Sequence, residues 1–295
     1  MDIFAQQLVN ALSLGGIYAL LALGLAMVFS IMGLVNFAHG DLMTIGGYAI
    51  WFGAMVLGAP LIVVALLGIF AVVLGSVLME RIAFRPVRGA SGTTMLLTSF
   101  AVSIVLQVLF QIFISARPMG IQLPAQLSET LNLFGVRLGV IQLTAIVVVA
   151  VALVSIIYFL RRTTLGIGMR AAAQDFPVAR LMGINANRIV STAFAISGLL
   201  AGLAAFLWIA QRGSVDPTMG LFPVIKAFIA AVLGGLGSLP GAVLGGFILG
   251  AAEVLFRSQL PESMLPFADA FTLTMVLVIL MVRPQGLLGK VTERA

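Results

Sequence analysis

The chain has 295 residues, of which 61% are hydrophobic and 9% charged, with a mean hydropathy of +1.19. Soluble domains carry about 25% charged residues, and no polar stretch here is long enough to fold alone, which excludes a water-soluble enzyme or binding module. The net charge of +6 fits basic loops at a membrane surface and not a nucleic-acid binder, and the absence of cysteine removes disulfides, thiolate metal sites and a cysteine nucleophile.

Nine apolar segments follow one another: 8–32, 42–57, 61–79, 93–115, 138–160, 189–210, 221–237, 241–256 and 267–282. They predict an all-α polytopic integral membrane protein, a single transmembrane domain over 1–295 with about 8–9 membrane helices. Segment 8–32 follows "MDIFAQQ", which has no basic residue. It exceeds a signal-peptide core of roughly 7–15 residues and lacks a small-residue cleavage site, so it reads as a retained helix.

The stretch "VNFAHGDLMTIGGY" (35–48) comes next and carries Asn36, the only histidine, His39, and Asp41, interleaved with Gly40, Gly46 and Gly47. Burying such polar groups in hydrocarbon costs several kcal/mol each unless they find partners. Two placements compete. In one, the stretch is a cytoplasmic turn, Asp41 caps the next helix and His39 is in water. In the other, the chain is unwound near mid-membrane, and these groups line a polar path or tie two helices together. The second is favoured because 42–57 is short for a span. A lone histidine without Glu or Cys neighbours is a poor metal site, so no metal is expected.

Segment 61–79 leads to a basic loop, 80–92, with Arg81, Arg85 and Arg88. Segments 93–115 and 138–160 are long enough to cross a core of roughly 30 Å unaided. The polar loop 161–188, "RRTTLGIGMRAAAQDFPVARLMGINANR", follows. It predicts a short amphipathic helix over about 169–182 with Ala172, Phe176, Ala179 and Met182 on one face. Pro177 would kink that helix or open a second one after Asp175-Phe176, and Gly183 stops it. Such a surface helix suits docking into a partner's groove.

Further along, Gly198 with Gly202 and Gly241 with Gly245 form small-xxx-small pairs that let helices approach closely, and "GGLGSLPGAVLGG" (234–246) marks a tight break. Lys226 and Glu253 lie inside apolar segments; pairing across that break would satisfy both charges, and snorkelling of Lys226 is the alternative. Tyr18, Trp51, Tyr158 and Trp208 read as interface or packing aromatics. Placing loops 80–92 and 161–188 and the tail (Arg283, Lys290, Arg294) on one side gathers most of the 16 basic residues there. That side is then cytoplasmic, with the C-terminus inside and, for nine spans, the N-terminus outside; a re-entrant 42–57 flips that end.

"GMRAAAQDFPVARLMGINANRI" resembles the cytoplasmic coupling motif of ABC importer permeases, and "VNFAHGDLMTIGGY", "AFAISGLLAGLAAF", "IKAFIAAVLGGLGSLPGAVLGG" and "RPQGLL" resemble further blocks of the LivH-type branched-chain amino acid permeases. One departure is that the leading Glu of the general coupling motif has no acidic counterpart; Asp175 is the only nearby carboxylate. The resemblance, which covers roughly 8–289, implies half of the translocation path of an ATP-driven importer for leucine, isoleucine or valine in a bacterial inner membrane. It implies four kinds of partner: a second homologous permease subunit, two ATP-binding subunits, an extracytoplasmic solute-binding protein and membrane lipid. Coupling to the ATPase falls on Arg170, Ala172, Gln174, Asp175, Arg180, Gly183 and Asn185; Asn36, His39, Gly40 and Asp41 are the candidates for the path. The chain has no G-x-x-x-x-G-K-[ST] loop, so ATP and magnesium are expected on the partners and no cofactor here. A urea or short-amide permease of the same family is the nearest rival, and an ion-coupled secondary transporter a more distant one.

Overall fold

Each apolar run becomes a helix. The computed structural model describes residues 2–122, 124, 129–133 and 136–289. The nine are α1 (Asp2–Met32), α2 (His39–Trp51, prolonged by a π-turn, Phe52–Val56), α3 (Leu61–Met79, ending in a second π-turn, Glu80–Phe84), α4 (Gly92–Phe113), α5 (Val140–Arg162), α8 (Ala186–Arg212), α9 (Leu221–Gly234), α10 (Leu239–Gln259) and α11 (Ala268–Val282). The loop between α5 and α8 holds two more, α6 (Thr164–Gln174) and α7 (Phe176–Leu181). Among the described residues, 7 helical stretches are long and apolar enough to cross a membrane, while α9 is shorter. At 1.5 Å per residue its 14 residues reach about 21 Å, less than the hydrocarbon core.

Polar caps set where helices start. Ser91 Oγ accepts from the Thr94 amide at 3.2 Å, and Ser238 Oγ accepts from the Gly241 amide at 3.2 Å. Each satisfies an amide that hydrocarbon could not, for about 1 kcal/mol.

The bundle has two chemically distinct ends. At one, β1 (Met119–Gly120) pairs antiparallel with β4 (Ser214–Val215), so α4 and α8 finish together. A hairpin of β2 (Thr130–Leu133) and β3 (Val136–Gly139) precedes α5. At the other, the amides of Leu287 and Leu288 donate to the carbonyls of Leu233 and Gly234 at 2.8 and 2.9 Å. Met27 and Ile31 of α1 meet Leu160, Met169 and Leu239 at that end. It gathers Arg81, Arg85, Arg88, Arg161, Arg162, Arg170, Arg180, Arg188 and Arg283. Lys290 and Arg294 lie outside the described residues. The start of α1 and the finish of α11 are therefore at opposite ends.

Helices α1 and α8 form the centre: 83% and 72% of their apolar windows are buried, against 17% for α4 and α11. Close approach is achieved with small residues, since lipid supplies no hydrophobic drive between helices. Gly250 of α10 lies on the backbone of Gly15, and Gly246 on that of Ala19. Both predicted small-residue pairs sit at interfaces. Gly198 and Gly202 meet Val73 and Ile69 of α3, and Gly241 and Gly245 meet Gly234 and Ala230 of α9. Of the two readings for the aromatics, Tyr18 and Trp208 take the packing one, being only 1% and 6% exposed.

Candidate functional site

The stretch around the lone histidine enters the bundle. Gly33, at φ +66, turns the chain at the end of α1, and residues 33–38 run back without helical structure. The His39 ring packs against Gly24 of α1, two turns and roughly 12 Å above the helix end. Helix α2 therefore starts deep within the bundle, with His39 and Asp41 in its first turn. Its N-cap is Ala38, which makes no side-chain cap; Asp41 caps nothing and His39 is dry. Of the two placements, the solvated turn is the one the fold rules out, and the stretch ties helices together inside the bundle. The non-helical backbone is tolerated because protein surrounds it.

Asn36, His39 and Asp41 are 2%, 0% and 3% exposed. His39 Nδ1 lies 3.2 Å from the Ser197 hydroxyl of α8, and Asp41 Oδ1 accepts from Gln107 Nε2 of α4 at 3.1 Å. Asn36 Nδ2 reaches only the Met79 sulfur of α3, at 3.8 Å. Asn36 Oδ1 and His39 Nε2 have no partner among the described residues. The Gly40 backbone abuts Gly220, just before α9, with no room for a Cβ on either. The four residues thus tie α2 to four other helices and to the turn before α9. With all four residues buried, they form a junction between helices inside the bundle.

A cavity of about 600 Å³ opens at the end opposite the arginines, between α1, α8, α9, α10 and α11. One wall is a network of four charges. Lys226 Nζ donates to Glu253 Oε2 at 2.7 Å and to Asp269 Oδ1 at 3.1 Å. Arg257 approaches Glu253 Oε1 at 3.0 Å and Asp269 Oδ1 at 3.3 Å. The Tyr18 hydroxyl donates to Glu253 at 2.9 Å. Lys226 and Glu253 are paired, as the sequence allowed, and the network neutralises two carboxylates with two cations.

At the arginine-rich end, α6 and α7 project between α5 and α8. Pro177 opens the second helix, and Asp175 Oδ1 caps it by accepting from the Val178 amide at 2.9 Å. Of the two alternatives at Pro177, the second holds: the segment is two helices, with the break at Asp175. Ala172 and Ala179 are buried as predicted. Met182, expected on the same apolar face, instead points outward: Leu181 is 86% and Met182 78% exposed. Gly183 stops the turn at φ +81. Asn185 Oδ1 accepts from the Arg188 amide at 3.1 Å and so starts α8. Arg170, Gln174, Asp175 and Arg180 are all exposed. The result is a polar platform with an apolar tip, joined to α8 through the short non-helical link 182–185.

Sequence reading missed Glu80. It is fully buried, bonded to Arg88, whose Nη1 also donates to Asn187 Oδ1 at 2.7 Å. The Ser191 hydroxyl donates to Glu80 at 2.8 Å. This cluster joins α3 to the first turns of α8, next to the α6–α7 platform. Lying between an apolar run and Arg81, Glu80 looked like a loop residue. A carboxylate directly abutting a helix core is the signal that could have found it.

Residues 7–282 match the family described as branched-chain amino acid transport system / permease component. The chain belongs to that permease family. It is 35% identical to the high-affinity branched-chain amino acid transport system permease protein BraD of Pseudomonas aeruginosa, over 97% of this chain and 96% of BraD. To LivH of Salmonella typhimurium, a permease protein of the same description, it is 34% identical over 97% of this chain and 96% of LivH. The LivM permease protein of that organism also matches, at 35% identity over 53% of this chain and 37% of LivM.

Three variants probe the interior of this permease. His39→Ala and Asp41→Ala are each expected to leave the chain inserted and assembled while lowering transport several-fold, because the junction loses one tie of about 1–3 kcal/mol. Uptake in membrane vesicles, normalised to the assembled complex, checks this. Glu80→Ala strands the Arg88 guanidinium, a loss on the order of 3–5 kcal/mol for a buried pair. The expected result is a lower melting temperature of the detergent-solubilised chain, restored in part by a compensating Arg88→Leu.

Proposed function

We propose that this permease is one half of the translocation path of an ATP-driven importer for branched-chain amino acids. The observation that carries the reading is the α6–α7 platform: an exposed apolar tip on a structured, arginine-flanked projection, in a chain without a phosphate-binding loop. BraD, LivH and LivM are themselves named as permease proteins of high-affinity branched-chain amino acid systems, which supports the substrate class. The match to both LivH and LivM of one organism supports a second, homologous permease subunit as partner.

The arginine-rich end is cytoplasmic by the positive-inside rule, which puts the start of α1 outside in a bacterial inner membrane. Two ATP-hydrolysing subunits seat the α6–α7 platforms, and ATP and magnesium are bound there and not on this chain. An extracytoplasmic solute-binding protein delivers the solute to the open cavity. Arg170, Ala172, Gln174, Asp175, Arg180, Gly183 and Asn185 act in coupling: the exposed side chains meet the ATPase, Ala172 seats α6, and Gly183 and Asn185 join the platform to α8. Asn36, His39, Gly40 and Asp41 act at the gate of the path. The two partnerless polar atoms there, Asn36 Oδ1 and His39 Nε2, gain water or protein partners when the helices part. A buried orphan of this kind costs about 1–3 kcal/mol, which biases the junction toward opening once the platform moves.

The test is uptake by the reconstituted complex with its binding protein and ATP. Radiolabelled leucine is expected to enter, competed by isoleucine and valine and not by urea. Entry of urea in place of leucine would assign the chain to short-amide transport. Uptake under an ion gradient without any ATPase would make it a secondary transporter.

A further inference from the structure

The outer cavity contains a second pair of charges that the four-charge network does not use. Arg212, the last residue of α8, lays its guanidinium over the Trp208 ring at 4.2 Å from the centroid. Among the described residues, no carboxylate lies within 4.0 Å of it. Asp216 lines the same cavity. Its Oδ1 accepts from the amide and hydroxyl of Thr218 at 3.0 and 2.9 Å, and no cation pairs with it among the described residues. Trp208 is 6% exposed, and its indole Nε1 has no partner among the described residues. Met219 and Phe222 add apolar wall.

We infer that Arg212 and Asp216, with Trp208 and Phe222, form a reception subsite for an apolar α-amino acid zwitterion on its way into the permease. The guanidinium takes the carboxylate, since its planar fork matches two oxygens. The Asp216 carboxylate, already oriented by Thr218, takes the ammonium, and the apolar wall takes the side chain. Lys226, Glu253, Arg257 and Asp269 satisfy one another, so among the described residues the two uncompensated charges lining the cavity are the two a zwitterion would neutralise. A solute lacking either charge forfeits one of the two contacts and leaves that group to water. The subsite is half-open, and a conduit must release what it receives, so affinity is in the millimolar range.

This assignment rests on the reading of the chain as an amino-acid importer. Since the chain has no cysteine, Phe222→Cys gives this subunit a unique thiol beside the pair. The assembled transporter in vesicles, without binding protein, is labelled with a small methanethiosulfonate, and the rate is read by mass spectrometry on this chain. Leucine at millimolar concentration is expected to slow labelling at least threefold. Leucinamide, which lacks the carboxylate, and 4-methylpentanoate, which lacks the ammonium, should leave the rate unchanged. Arg212→Gln and Asp216→Asn should each abolish the protection, and Arg212→Lys should retain part of it. Equal protection by all three solutes, or by none in vesicles that import leucine, overturns the subsite while leaving the importer reading intact. Vesicles that import no leucine with binding protein and ATP overturn both. Protection by ligand-free binding protein alone, unaffected by leucine, would make the pair a protein-docking contact and also overturn the subsite.

Discussion

Replacing Leu181 and Met182 together with aspartate is expected to leave this permease inserted and folded but to lower ATP-driven uptake at least 10-fold. The two side chains are 86% and 78% exposed, so the bundle loses no packing when they change. If they fill an apolar cleft on the ATPase, truncating such anchors costs about 2 kcal/mol or more each, and aspartates add the desolvation of two charges. The measurement separates two quantities. Uptake should collapse, while ATP hydrolysis by the solubilised assembly either becomes independent of solute or falls with loss of the subunit. Arg180→Glu should act in the same direction, through charge. At Gly183 a bulky residue meets no neighbour but must adopt φ +81. That strain of roughly 1–2 kcal/mol tilts the platform against α8 and should uncouple hydrolysis from uptake without blocking docking.

The second large effect is expected at mid-depth. Gly40→Val places two methyl groups where the backbone of Gly220 already sits. Neither side can yield easily: Gly40 lies in the first turn of α2, and Gly220 caps α9. Overpacking of this kind costs typically 1–3 kcal/mol, and here it separates the two short helices that meet at the junction. Uptake should fall below a tenth of the normal rate with a measurable drop in melting temperature. Gly33→Ala is the control, since Gly33 has no neighbour within 4 Å of a Cβ and needs only its φ of +66. Its effect should be confined to a loss of about 1–2 kcal/mol in stability.

The helices were legible because hydrocarbon leaves no other way to satisfy a backbone, and all nine apolar runs became helices. So were features with a local cause: the break at Asp175-Phe176-Pro177, where a missing amide and a cap combine, and the stop at Gly183. The Lys226–Glu253 pair was half legible: two opposite charges on adjacent short segments allowed it, but snorkelling of Lys226 was equally open, and only the fold decides between them. What escaped was set by packing between distant helices. Asp41 meets Gln107, and Glu80 meets Ser191 and Arg88, through contacts that no period along one helix encodes. Met182 was placed on the buried face by extending one helical period through a chain that breaks at Asp175. The polar stretch 35–48 declared its cost but not its depth; only the fold shows residues 33–38 doubling back beside α1. The small ribbons β1–β4 and β2–β3 have no strong alternation and were not anticipated.

A Leu181→Cys variant provides the decisive measurement, since no other cysteine exists in the chain. A short bifunctional cross-linker from that thiol, applied to native membranes during ATP turnover, is expected to capture one nucleotide-hydrolysing subunit in high yield, with a yield that changes between nucleotide-bound and nucleotide-free states. Robust leucine uptake by the variant, with no such subunit among its cross-linked products, would contradict the assignment of the α6–α7 platform as the link to an ATPase.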